Sequence, residues 1–168
     1  MSTRPPDYDY RGLTAIWAGT AQAVMATLGY LAACLAAAVF ATFTIMSVDP
    51  AAMAHHWETG VRTLLFVATT FVAAVVAAFF PFLVVLVVTE AFRLRGFVVH
   101  AVAGVLVGAL YGLPLSAVFS GTDMPDVSSS AVQLALACGG VGGIVYWTIA
   151  GRTAGKWTEL PWFEENRR

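Results

Sequence analysis

The sequence has few charged residues, and they are unevenly distributed. Asp, Glu, Lys and Arg make up 11% of the 168 residues, against roughly 25% in a typical soluble domain. Each of four long stretches that contain none of them can hold the roughly 20 apolar residues that cross a bilayer as a helix. These stretches predict an all-α membrane protein with four antiparallel transmembrane helices and short loops: Gly12–Val48, Thr63–Thr89, Gly96–Thr122 and Val127–Gly151.

The sequence also lacks the residue sets that most enzymes need. Its two cysteines, Cys34 and Cys138, lie in apolar stretches, where a thiol is expected to pack as a small core residue rather than form a disulfide. We find no Ser/His/Asp set, phosphate-binding glycine loop or Cys/His cluster. The net charge of −1 gives no case for binding nucleic acid. We therefore expect no enzyme activity, metal, cofactor or nucleic-acid partner.

The four spans and their short loops use nearly the whole chain, so residues 1–168 are expected to form a single transmembrane domain. Pro81 predicts a kink in the second span. The segment Arg93–Gly96 is short enough to predict a tight hairpin between the second and third spans. The predicted spans cover approximately residues 13–48, 63–89, 97–119 and 130–150.

Basic residues predict the orientation of the chain in the membrane. Arg62 is the basic residue on one side of the predicted bundle, whereas eight lie on the side that carries both termini. Cytoplasmic loops of membrane proteins are enriched in Lys and Arg, so both termini are predicted to be cytoplasmic. The eight residues are Arg4, Arg11, Arg93, Arg95, Arg152, Lys156, Arg167 and Arg168.

Glycines repeat at four-residue spacing in the third and fourth spans. Residues four apart share one face of a helix, and small residues let two membrane helices approach closely. We expect these faces to pack the bundle internally, with contact to a partner protein or a second copy as the alternative. The residues are Gly104, Gly108, Gly112, Gly139 and Gly143.

Several residues near the span ends are predicted to lie at the membrane surfaces. Trp favours headgroup depth, and basic residues there can face lipid phosphates. Glu90 and Arg93 have a spacing that favours a helical ion pair. The predicted interfacial set is Trp17, Trp57, Glu90, Arg93, Trp147 and Arg152.

The spans contain no carboxylate, and their other polar groups are few. His100 is the histidine within a span. It is interpreted as a hydrogen-bonded residue near the membrane surface. The alternative is haem ligation, but a bis-histidine haem needs a second histidine ligand, and no other span supplies one. Five further polar residues are expected to make interhelical hydrogen bonds: Gln22, Thr69, Thr70, Tyr111 and Gln133. As the alternative, the first four of them would line a pore.

The segment Gly142–Gly155 ends the fourth span with paired small residues around Tyr146 and Trp147. It resembles the corresponding ending of uncharacterised small four-helix inner-membrane proteins of alphaproteobacteria. The resemblance implies a bacterial inner (plasma) membrane location and no activity.

Three functional hypotheses follow. The first is a non-enzymatic scaffold or accessory subunit, with the lipid bilayer, other membrane-protein subunits or further copies of the chain as partners. It combines the lack of a charged pathway with several small-residue packing faces. The second is a small oligomeric transporter or channel whose pore would use the polar residues named above. The third is a haem-binding anchor through His100.

Overall fold

The computed structural model describes residues 10–47, 57–120 and 130–154, and the side chains of residues 16–47, 57–114 and 130–154. Four helices and one short 3-10 helix make up almost all of these segments, and every long helix is long and apolar enough to cross a membrane. The predicted all-α, four-span membrane fold is confirmed. The helices are α1 (Tyr10–Met46), α2 (Trp57–Ala91), α3 (Phe97–Ser120) and α4 (Ser130–Ile149), followed by a 3-10 turn at Gly151–Thr153.

The helix ends fall close to the predicted span ends except at the start of α2. This helix begins at Trp57, although the second span was expected from residue 63. Glu58 lies in the first turn of this helix. Its negative charge interacts favourably with the positive end of the helix dipole, so it stabilises the helix start. α2 also runs through Pro81 as one continuous helix.

The hairpin after α2 is closed by backbone hydrogen bonds. Leu94 N donates to Thr89 O at 2.9 Å, and Arg93 N donates to Glu90 O at 3.3 Å. This is the pair of bonds that ends a helix in a Schellman motif, whose turning residue takes a left-handed conformation. Arg93 has φ 53° and occupies this position, where glycine is more usual.

The four helices do not pack equally. The contact between α3 and α4 is the most extensive, followed by that between α1 and α4 and then that between α1 and α2. In contrast, α2 and α3 make few contacts with each other. The spatial order is therefore α2–α1–α4–α3. α2 packs mainly on one neighbour, and no residue in its most apolar window is buried. Its remaining faces are left to lipid or to another protein.

The glycines of α3 and α4 meet at the most extensive of these contacts. A Cβ on Gly104 would collide with the Gly139 carbonyl oxygen, and one on Gly143 would collide with that of His100. A Cβ on Gly112 would lie 2.8 Å from the Ala135 methyl group. The structure thus places all five predicted packing glycines between two helices of the same chain. At the four glycines other than Gly112, the nearest neighbours are backbone atoms, which cannot move aside as a flexible side chain can.

We predict that Gly108→Ala weakens the bundle. Its added methyl group would collide with the Ala135 carbonyl oxygen, and overpacking of this kind costs about 1–3 kcal/mol. Gly19→Ala is the matched control, because nothing lies within 4 Å of a Cβ at that helical position. Reversible unfolding in mixed detergent micelles should show lower stability for Gly108→Ala and no loss for Gly19→Ala. Equal stability of the two variants would contradict the close α3–α4 contact.

Candidate functional site

A chain of polar side chains joins three parts of the fold at one end of the bundle. We call this the hairpin end, defined by the α2–α3 hairpin (Phe92–Gly96) and the 3-10 turn after α4. Gln22 Nε2 donates a hydrogen bond to Glu90 Oε1 at 2.7 Å. Thr153 Oγ1 donates to Gln22 Oε1 at 3.3 Å. One amide therefore links α1, α2 and the segment after α4.

His100, near the start of α3, is almost completely enclosed, with 2% of its surface exposed. Its Nδ1 lies 3.0 Å from the Gly96 carbonyl oxygen. A carbonyl can only accept, so Nδ1 carries a proton and donates to it. Nε2 is buried and has no hydrogen-bond partner. The prediction of a hydrogen-bonded histidine agrees with this geometry, and the ring is enclosed within the bundle.

The His100 ring is held between two residues from the end of α4. It stacks against Tyr146 with centroids 5.7 Å apart and an interplanar angle of 29°. On Gly151, a Cβ would lie 2.9 Å from Nε2, so only glycine leaves room for the ring. This enclosure leaves no place for a flat haem against Nε2. Among the described residues there is no group of three His, Cys, Asp or Glu side chains that could hold a metal ion.

Trp147 fastens the hairpin to α4. Its Nε1 donates to the Arg95 carbonyl oxygen at 2.9 Å, and Phe97 meets its ring edge-on at 5.3 Å. The Arg152 guanidinium carbon lies 4.4 Å from the Trp147 ring centroid, a cation–π contact. Arg95 Nε donates to the Ala154 carbonyl oxygen at 2.7 Å. The start of α3 and the end of α4 are therefore tied by bonds in both directions.

The predicted interfacial residues occupy different surroundings. Trp17 is 72% exposed near the start of α1, and Trp57 is 75% exposed at the start of α2. The expected ion pair between Glu90 and Arg93 does not form in the part of the chain that the structure describes. Glu90 accepts instead from Gln22, and Arg93 lies in the left-handed turn, where it is exposed. Lys156 lies outside the described residues.

A proline in α2 explains the partner of the interhelical hydrogen bond that was expected of Tyr111. Pro81 has no N–H, so the carbonyl four residues earlier, at Ala77, loses its partner within the helix. The Tyr111 hydroxyl on α3 donates to this carbonyl oxygen. Neighbouring helices commonly satisfy backbone groups freed by proline in membrane helices. The signal was present in the sequence as a proline in one span and a mid-span tyrosine in the next.

A second tyrosine bridges α1 and α2. The Tyr30 hydroxyl donates to the Val75 carbonyl oxygen at 2.5 Å, and its ring stacks on Phe82 with centroids 4.3 Å apart. Phe82 in turn meets Tyr146 edge-on at 5.4 Å. The contact between α1, α2 and α4 at this point is therefore aromatic, with each ring packed against another helix.

Three of the four polar residues considered for a pore make hydrogen bonds at separate places in the bundle. Thr69 is exposed, and its hydroxyl donates to Leu65 O and Phe66 O of its own helix. Gln22 bonds at the hairpin end, and Tyr111 bonds to α2. A groove with a volume of about 570 Å³ is lined by apolar residues of α1 alone: Ala32, Leu35, Ala36, Val39, Phe40 and Phe43.

No protein-family profile, curated protein or solved structure matches this chain. The resemblance to small inner-membrane proteins of alphaproteobacteria stays a prediction.

We predict that Pro81 and Tyr111 are energetically coupled. Tyr111→Phe should lower the free energy of unfolding by about 1 kcal/mol, since it removes the donor to the Ala77 carbonyl. In a Pro81→Ala background the cost should shrink, because the N–H at position 81 can then bond that carbonyl. A double-mutant cycle in detergent micelles measures this difference.

Tyr30→Phe is the control for that cycle. Its acceptor, Val75, keeps an N–H partner within α2 whether or not residue 81 is proline. The cost of Tyr30→Phe should therefore be the same in both backgrounds. A cost of Tyr111→Phe that does not depend on residue 81 would contradict the proposed origin of the bond.

Gln22→Leu should also weaken the fold, by about 1–3 kcal/mol, because it leaves partly buried polar groups at Glu90 and Thr153 without this partner. Thr27→Val is the matched control on the same helix, since the Thr27 hydroxyl bonds only the Ala23 carbonyl of its own turn. Thermal unfolding followed by circular dichroism compares the two. A similar shift for both variants would show that the Gln22 bridge does not hold the hairpin end together.

Proposed function

We propose that this protein is a non-enzymatic scaffold or accessory subunit of a larger membrane assembly. The observation that carries the proposal is the open arrangement of the helices, in which α2 packs mainly on α1 and makes few contacts with α3. Phe80 on α2 is 76% exposed, and Leu106 on α3 is 64% exposed. These apolar faces can receive another transmembrane helix without any rearrangement of the described bundle.

The use of the polar groups supports the same role. Gln22, Tyr30 and Tyr111 each bond to another helix of the chain, so their energetic effect is to hold the bundle together. A transporter would need such groups on converging faces along a route for its substrate. No observation in the described residues favours that alternative.

We further propose a bacterial inner-membrane location with the hairpin end facing the cytoplasm. The support is the excess of basic residues on that side, eight against one, together with the positive-inside tendency of membrane proteins. The assembly partner would then be another integral protein of the same membrane.

Site-specific photo-crosslinking in the native membrane tests the scaffold proposal. A photoreactive amino acid at Phe80 or Leu106 should give a discrete adduct with another membrane protein, which mass spectrometry of the purified adduct identifies. Val132, 1% exposed, is the control position and should give none. Purification of the chain alone, with only lipid adducts from Phe80 and Leu106, would overturn the proposal.

A further inference from the structure

The Trp147 ring forms a fixed platform at the hairpin end. Its indole N–H is held by the Arg95 carbonyl at 2.9 Å, and its edge is packed by Phe97. The Arg152 guanidinium lies over the ring face at 4.4 Å, while the Arg152 residue as a whole is exposed. A guanidinium held in this way loses less freedom on binding a ligand, because its planar donors are already oriented.

Among the residues that the structure describes, basic side chains outnumber acidic ones at the hairpin end. Arg93 is exposed, Arg95 is half-buried, and Arg152 is exposed. Glu90 is the acidic residue at this end of the described chain, and one of its oxygens accepts from Gln22. Three arginines against one carboxylate leave the described hairpin end with a net positive charge.

The platform also lies at the depth of lipid headgroups. α3 begins at Phe97 and α4 ends at Ile149, so Trp147 and Arg152 stand where the apolar spans stop. Tryptophan and basic residues at this depth are typical anchors at the boundary between membrane and water. Phosphate groups of the lipids are present there at high concentration, and Arg suits their geometry.

We propose that the face formed by Trp147, Arg152 and the hairpin arginines, Arg93 and Arg95, is a binding site for the headgroup of an anionic phospholipid. Arg152 is the principal phosphate ligand, oriented by the Trp147 ring. Arg93 and Arg95 supply additional positive charge. The bound lipid would lie against the outer surface of α3 and α4, so its binding would strengthen the contact between the hairpin and the end of α4. The site does not depend on the scaffold role.

Native mass spectrometry of the full chain, delipidated in neutral detergent, tests this site. Phosphatidylglycerol and phosphatidylcholine with identical acyl chains are added in equal amounts, and the ratio of their adducts is measured. We expect a preference for phosphatidylglycerol that falls about fivefold in Arg152→Gln, which corresponds to about 1 kcal/mol for one basic residue near an anionic membrane surface. Arg152→Lys keeps the charge but not the planar group, and should lie between the two.

Arg62→Gln is the matched control, because Arg62 is an exposed arginine near the opposite end of α2. It should leave the preference for phosphatidylglycerol unchanged. Equal losses in Arg62→Gln and Arg152→Gln would overturn the site, since they would indicate general charge attraction. Displacement of phosphatidylglycerol by the same concentration of inorganic phosphate would also overturn it, because the ligand would then be a soluble anion rather than a lipid.

Discussion

The direct backbone contact between α3 and α4 is the constraint on which the rest of the bundle depends. Lipid chains are as apolar as leucine side chains, so membrane helices gain little by hiding apolar surface from their solvent. Close packing must supply much of the attraction, and Gly104, Gly139 and Gly143 permit it by letting each helix touch the other's carbonyl groups. The same contact packs Gly143 against the His100 backbone, and thereby helps to place the His100 ring between Tyr146 and Gly151.

Polar groups then determine how the other helices attach to this pair. Tyr30 joins α1 to α2 through the Val75 carbonyl, and Tyr111 joins α3 to α2 through the carbonyl that Pro81 leaves free. At the hairpin end Gln22 connects α1 to α2 and to the turn after α4. Because these groups bond within the chain, its outer apolar faces carry the potential for assembly. This division is the physical basis for the proposed scaffold role.

The span layout could be predicted from the sequence because a long uncharged segment in a membrane must satisfy its own backbone hydrogen bonds, which a helix does. The glycine faces could also be found, since four-residue spacing is a local property. The pairing of the two faces could not be predicted, because the glycine spacing on α3 does not indicate which helix packs against it. The prediction of an ion pair between Glu90 and Arg93 failed for a different reason. It assumed that the helix continues to Arg93, whereas Arg93 lies in a turn with φ 53°. The burial of His100 depends on Gly151, 51 residues away, and no local pattern indicates it.

Disulfide cross-linking in native membranes tests the helix order most directly. In a background with Cys34 and Cys138 replaced by alanine, cysteines at Gly112 and Ala135 should cross-link on mild oxidation. Their Cβ positions lie 2.8 Å apart, so a small outward shift of the two helices brings them to the roughly 3.5–4.5 Å that a disulfide needs. Cysteines at Gly112 and Ala77 should not, since a whole tyrosine side chain separates α3 from the α2 backbone there. Efficient cross-linking of the second pair and not the first would contradict the α2–α1–α4–α3 order and the glycine contact on which it rests.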